Sequence, residues 1–201
     1  MSTTSILFNP WDRPPVPRRG DDDQDRTYCG VGRVVSEWET IELELGHLYS
    51  LFEGKFGNPG TVQDYGASPM FADRVARLVK AKERFFARNP NRELDAEFCE
   101  MLERIRKYAD RRHDVAHGIV RPIIWAFGSG VSSATGDLPF HYCVVAPDYK
   151  ENRFDENHQP IYAYTWPEMM QIQGALHGAA HEVMRYKRKL ADLIDAGKLK
   201  P

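Results

Sequence analysis

Eight consecutive residues, Arg111-Arg112-His113-Asp114-Val115-Ala116-His117-Gly118, hold the densest set of chemically useful side chains in this chain. Histidine exchanges its proton near neutral pH, and arginine stays charged and presents a fork of donors that matches phosphate oxygens. Phosphodiester cleavage without a metal needs such groups: a base, an acid, and cationic donors on the charge that develops around phosphorus. His117 suits acid–base work, Arg112 the phosphate clamp, and Arg111 a further substrate-binding cation. On a helix, His113 and Asp114 lie four and three residues before His117 and share its face, so either could orient it. A purely structural reading of the same residues is open as well. In it Arg112 and Asp114 form an ion pair, and His117 caps the last carbonyls of its helix.

The surrounding pattern must place this run. Val34, Trp38, Ile41, Leu45, Leu48 and Phe52 fall three or four residues apart, which predicts a helix with one apolar stripe. Glycines 54, 57 and 60 and the Asn58-Pro59 pair predict a loop through Gly66. Ser68-Pro69 opens a second helix to about Ala87, with Phe71, Val75, Leu78 and Phe85 inward and Arg74, Arg77, Lys80, Lys82 and Arg84 on a solvated basic face. A third stripe, Leu94, Phe98, Met101, Ile105, Tyr108 and Val115, carries the chemical run on its last turns, and Gly118 closes that helix. Arg112 continues this apolar stripe, so it needs an acid such as Glu37, Glu44 or Asp110, or a cleft or subunit boundary, to face. β-branched and aromatic runs at 119–127, 140–145 and 161–165 predict a small antiparallel sheet or hairpin. Thr165 with Glu168 forms a capping box that starts a long last helix, ended at Gly197.

Arg112 followed by four residues, then His117 and Gly118, at the end of a long helix in a helical chain, resembles the R-x4-H motif of the HEPN superfamily. The resemblance covers about eight residues closely, and elsewhere only the order of elements. It implies a mainly α fold, an antiparallel bundle of about four long helices, here with a small antiparallel β-hairpin or sheet inserted between the third and fourth helices. It also implies a metal-independent endoribonuclease without a cofactor, acting on RNA as a homodimer, possible kinds being a toxin or phage-defence protein with an antitoxin or other partner. Arg112, His113, Asp114 and His117 then fall in the catalytic region and Arg111 on the substrate side. The β-rich stretch 119–165 departs from a compact bundle. The alternative within the same resemblance is a catalytically inactive module that binds a protein or a nucleotide.

Composition narrows the remaining classes. The chain has 201 residues, of which 42% are hydrophobic and 28% charged, enough for one good core. The expected organisation is an extended or disordered tail over 1–30, rich in proline and ending near Asp21-Asp22-Asp23, and a helical domain over 31–201. A formal net charge of −2 gives no overall attraction to nucleic acid or to an anionic membrane, so any RNA contact must be local. Cysteines 29, 99 and 143 lack metal-ligand or disulfide spacing, Cys99 reads as a small core residue, and a reducing, cytoplasmic setting follows. No signal-like or membrane-spanning apolar run is expected. His177 and His181 repeat the spacing of His113 and His117. Together the four suggest a metal-dependent hydrolase only weakly, because His-x-x-x-His without further ligands is common by chance.

Overall fold

The same apolar stripes that define the helices in sequence are the buried faces of the fold, in a computed structural model that describes residues 9–17, 19–122 and 141–200. Among these residues the regular elements are α1 (Gln24–Phe52), α2 (Pro59–Gly66), α3 (Phe71–Arg88), α4 (Arg92–Ala116), β1 (Ile119–Pro122), β2 (Tyr142–Val145) and α5 (Trp166–Asp195), with a short 3-10 turn at Glu151–Arg153. The protein is therefore mainly helical, with one small antiparallel sheet between α4 and α5. No described helix is long and apolar enough to cross a membrane. Val34, Trp38, Ile41, Leu45, Leu48 and Phe52 are all fully buried, as are Ile105 and Val115 of α4 and Met169, Ile172, Leu176 and Val183 of α5.

The chain divides into two compact units: Met1–Glu37 with Arg106–Leu176, and Trp38–Ile105 with His177–Pro201. In the second unit an aromatic cluster forms the core. Phe52 meets Phe85 at 5.3 Å and Phe98 at 5.5 Å between ring centroids, and Phe98 meets Tyr186 at 6.1 Å. Buried Glu42 accepts from Trp38, from Tyr65 and from both arms of the Arg74 guanidinium. Arg74 and Lys82 thus leave the solvated face expected of them: Lys82 is buried and pairs with Asp95 at 2.8 Å. Cys99, in contrast, is exposed and is not a core residue.

The first unit differs from expectation at its start. α1 begins at Gln24, ten residues before the first stripe residue, Val34. The acidic cluster is the cause, since the Asp23 carboxylate accepts from the Asp25 backbone N–H at 2.9 Å in the manner of an N-cap. Asp21 is buried and ties three pieces together. Its backbone exchanges two hydrogen bonds with Tyr142, its carboxylate accepts from the Thr27 hydroxyl at 2.8 Å, and it accepts from the Trp166 N–H that opens α5 at 2.9 Å. Burial raises the Asp21 pKa above the ordinary carboxylate value, against the lowering effect of these donors. The loop expected through Gly66 contains α2: Asn58 accepts from Thr61 N–H and Pro59 occupies the first turn.

β1 and β2 pair antiparallel with Ile119 opposite Val145 and Arg121 opposite Cys143. Of the expected run 161–165, Tyr164 alone makes a bridge, with Val144. Positions 123–127 and 140 of the expected strands lie outside the described residues. At α5 the capping box is formed as the spacing predicts, with the Thr165 N–H and hydroxyl both donating to Glu168. Gly197 ends the helix with φ +68°, in the left-handed region that favours glycine. Replacing Asp21 with alanine strips the Trp166 N–H and Thr27 of a buried acceptor and should cost about 1–3 kcal/mol in urea unfolding. Asp21→Asn, which keeps one acceptor oxygen, should cost less.

Candidate functional site

Helix α4 ends where its sequence runs out of stripe. His117 N–H still donates to His113 carbonyl at 3.1 Å, and Gly118 N–H donates to Val115 at 3.2 Å before the chain turns into β1. Gly118 is needed for space, since it is absent from the positive-φ positions. A Cβ there would stand 2.3 Å from Val144 Cγ1 and 2.9 Å from the Asp114 carbonyl, and valine on a strand has little room to give. The end of the helix is thereby pressed against β2.

Within the motif the side chains divide sharply. Asp114 and Arg111 point into the first unit, 4% and 6% exposed. Asp114 accepts two hydrogen bonds from Arg13, at 2.8 and 3.1 Å, and one each from the Tyr162 and Tyr164 hydroxyls at 3.3 Å. Arg111 Nη1 lies 3.3 Å from the same carboxylate. Burial and the Asp114 charge raise both tyrosine pKa values, so the two hydroxyls remain protonated donors. The arm that leads to Arg13 is held by Trp11, stacked on Tyr108 at 3.8 Å, and by Val16 against Cys143, Val145 and Ala163. Residues 11–16 thereby run beside the last turns of α4.

Two expectations are corrected by this network. Asp114 does not orient His117, because its contacts are with Arg13, Arg111, Tyr162 and Tyr164. Arg111 is a buried counter-ion and is not available to hold substrate. Of the acids considered for Arg112, Glu44 pairs with Lys187 at 2.5 Å and approaches His47, and Asp110 is exposed. Arg112 itself is half-buried.

The two histidines face outward. His113 and His117 are both exposed, with ring centroids 4.4 Å apart and planes inclined at 49°. Lys150, from the turn after β2, brings its Nζ to 3.4 Å from His113 Nε2. Partial burial, then the neighbouring His117 and then Lys150 hold the His113 imidazole below the ordinary histidine value of 6.5. His113 is accordingly uncharged at neutral pH and can accept a proton. Lys150 is the member of this group that the motif did not indicate: it lies 37 residues away in sequence, in a segment that reads only as a turn. His177 and His181 also approach, with Nε2 atoms 3.0 Å apart in the second unit. No group of three or more His, Cys, Asp or Glu side chains among the described residues converges as a metal site.

Opposite consequences follow for the two halves of the motif. Asp114→Ala leaves two guanidinium groups and two tyrosine hydroxyls without their buried acceptor and should destabilise the fold by about 3–5 kcal/mol in chemical denaturation, whereas His117→Ala should be close to neutral. Because the folded state lowers the His113 pKa, the unfolded chain binds that proton first as pH falls through 6.5. Stability contributed through His113 is therefore complete above 6.5 and declines on acidification to the folded pKa. His113→Asn should flatten that part of the stability–pH curve.

Compared with models of protein families, with curated proteins and with solved structures, the chain matches none.

Proposed function

We propose that this protein is a HEPN-like, metal-independent endoribonuclease that cleaves RNA by attack of the 2′-hydroxyl on the adjacent phosphate. The observation that carries the reading is the exposed pair His113 and His117, ring beside ring at the end of α4, next to Arg112. Partial burial, then the neighbouring His117 and Lys150, lower the His113 pKa, which suits that ring to take a proton. Such a pair is suited to acid–base catalysis.

In the reaction His113 takes the 2′-hydroxyl proton, and the oxygen so freed bonds to phosphorus. The bond from phosphorus to the 5′-oxygen breaks, and the departing oxygen takes a proton from His117. Arg112 donates to the non-bridging oxygens as negative charge builds on them. The products are a 2′,3′-cyclic phosphate and a 5′-hydroxyl, and the roles of the imidazoles reverse when they reset. The resemblance in the motif extends the proposal to a homodimeric active form and to a toxin or phage-defence setting in which an antitoxin or other partner restrains the activity.

A second reading has its own support. Asp114 and Arg111 are consumed by the fold, which is what an inactive protein- or nucleotide-binding module would keep of the motif. The two separate in one assay. Single-stranded RNA incubated with purified protein in EDTA should yield 2′,3′-cyclic phosphate ends. Arg112→Ala and His117→Ala should each lose about 100-fold or more of the rate, with the folding of each variant checked by its thermal transition. RNA that survives the wild-type protein intact leaves the binding-module reading in place.

A further inference from the structure

The turn after β2 holds two residues that a nucleic-acid strand would use, and the fold fixes them beside the histidines. Asp148 receives both arms of the Arg121 guanidinium from β1, at 2.9 Å each, which anchors the turn to the sheet. Lys150 N–H donates to the Pro147 carbonyl at 3.0 Å, closing it. The acid within the turn is thus spent on Arg121. Among the described residues no carboxylate pairs with the Lys150 ammonium, which lies against the imidazole of His113, 3.4 Å away. The Lys150 ammonium thus stands as a cationic donor at the edge of the exposed imidazole pair, where an anion lying against the two rings would meet it. Preceding Lys150 in the same turn, Tyr149 is 79% exposed, the most exposed of the large hydrophobic residues described.

We propose that this turn is the substrate-holding half of the site: Lys150 donates to the phosphate that lies against His113 and His117, Tyr149 stacks on a neighbouring base, and the substrate is single-stranded RNA. The inference rests on the nuclease reading for the reaction, but its binding claim can be tested apart from it. Stacking on an exposed aromatic ring requires a base free of its helix, which a single strand or a loop offers and an A-form duplex does not. An overall charge of −2 is compatible with this, since the attraction is confined to one cluster.

A short single strand with every 2′-hydroxyl methylated cannot be cleaved and serves as the probe, beside the same strand annealed to its complement and inorganic phosphate. Fluorescence anisotropy reads the two strands, and histidine ring resonances in NMR read phosphate. The wild type should bind the single strand more tightly than the duplex, and phosphate should shift the His113 and His117 resonances. Lys150→Ala should weaken the single strand about 10-fold or more and abolish the phosphate shifts, with Lys150→Arg restoring much of both. Tyr149→Ala should weaken the single strand and leave the phosphate response intact. Folding of each variant is checked by its thermal transition, and the exposed turn should tolerate all three changes. A protein that cuts RNA with the methylated strand bound equally by wild type and Lys150→Ala overturns this inference and spares the nuclease reading. A protein that leaves RNA uncut, yet loses the methylated strand on Lys150→Ala, does the reverse.

Discussion

One carboxylate organises the end of α4. Asp114 is buried where a lone charge would be expensive, and it is tolerated because two guanidinium groups and two phenolic hydroxyls converge on it. Those donors come from the N-terminal arm, from α4 itself and from the segment before α5. The energy of the pair is therefore also the force that joins three distant pieces of chain around one helix terminus. Gly118 and Val144 complete the arrangement by setting how closely the terminus meets β2.

The orientation of the histidines follows from that constraint. On a helix, Arg111, Asp114 and Val115 lie three and four residues apart on one buried face, and His113 falls on the opposite side. His117, one turn on, follows His113 to the surface, and the ring contact between them is a product of helical geometry. Part of the motif thus holds the helix end in place and the other part is left at the surface. Arg111 and Asp114 are held in the fold, and His113 and His117 meet solvent with Lys150 beside them.

Much of this was legible in residue spacing. The stripes of α1, α3, α4 and α5 repeat every three or four residues because each helix has one buried side, and the Thr165–Glu168 cap announces itself by its three-residue interval. The early start of α1 and the existence of α2 were also written in the chain, in Asp23 and in Asn58-Pro59. There acidic and helix-breaking residues are read first as loop formers, though the same residues cap helices. Contacts between distant positions had no such signature. Arg13 reaches Asp114 across 101 residues from a proline-rich arm whose composition suggests disorder, and Lys150 reaches His113 from a turn. Spacing also could not distinguish a glycine kept for its backbone angle, as Gly197 is, from one kept for room, as Gly118 is.

The claim at the centre of this account is that the two outward imidazoles are presented to an RNA ligand. Histidine acylation by diethyl pyrocarbonate, followed by peptide mass spectrometry with and without a fully 2′-O-methylated single strand, addresses it in one experiment. His177 and His181, which are also exposed, provide the internal reference. The account predicts rapid modification of His113 and His117 in the free protein and selective protection of both by the strand. Modification that proceeds at the same rate with the strand present, or protection no greater than at His177 and His181, would contradict it.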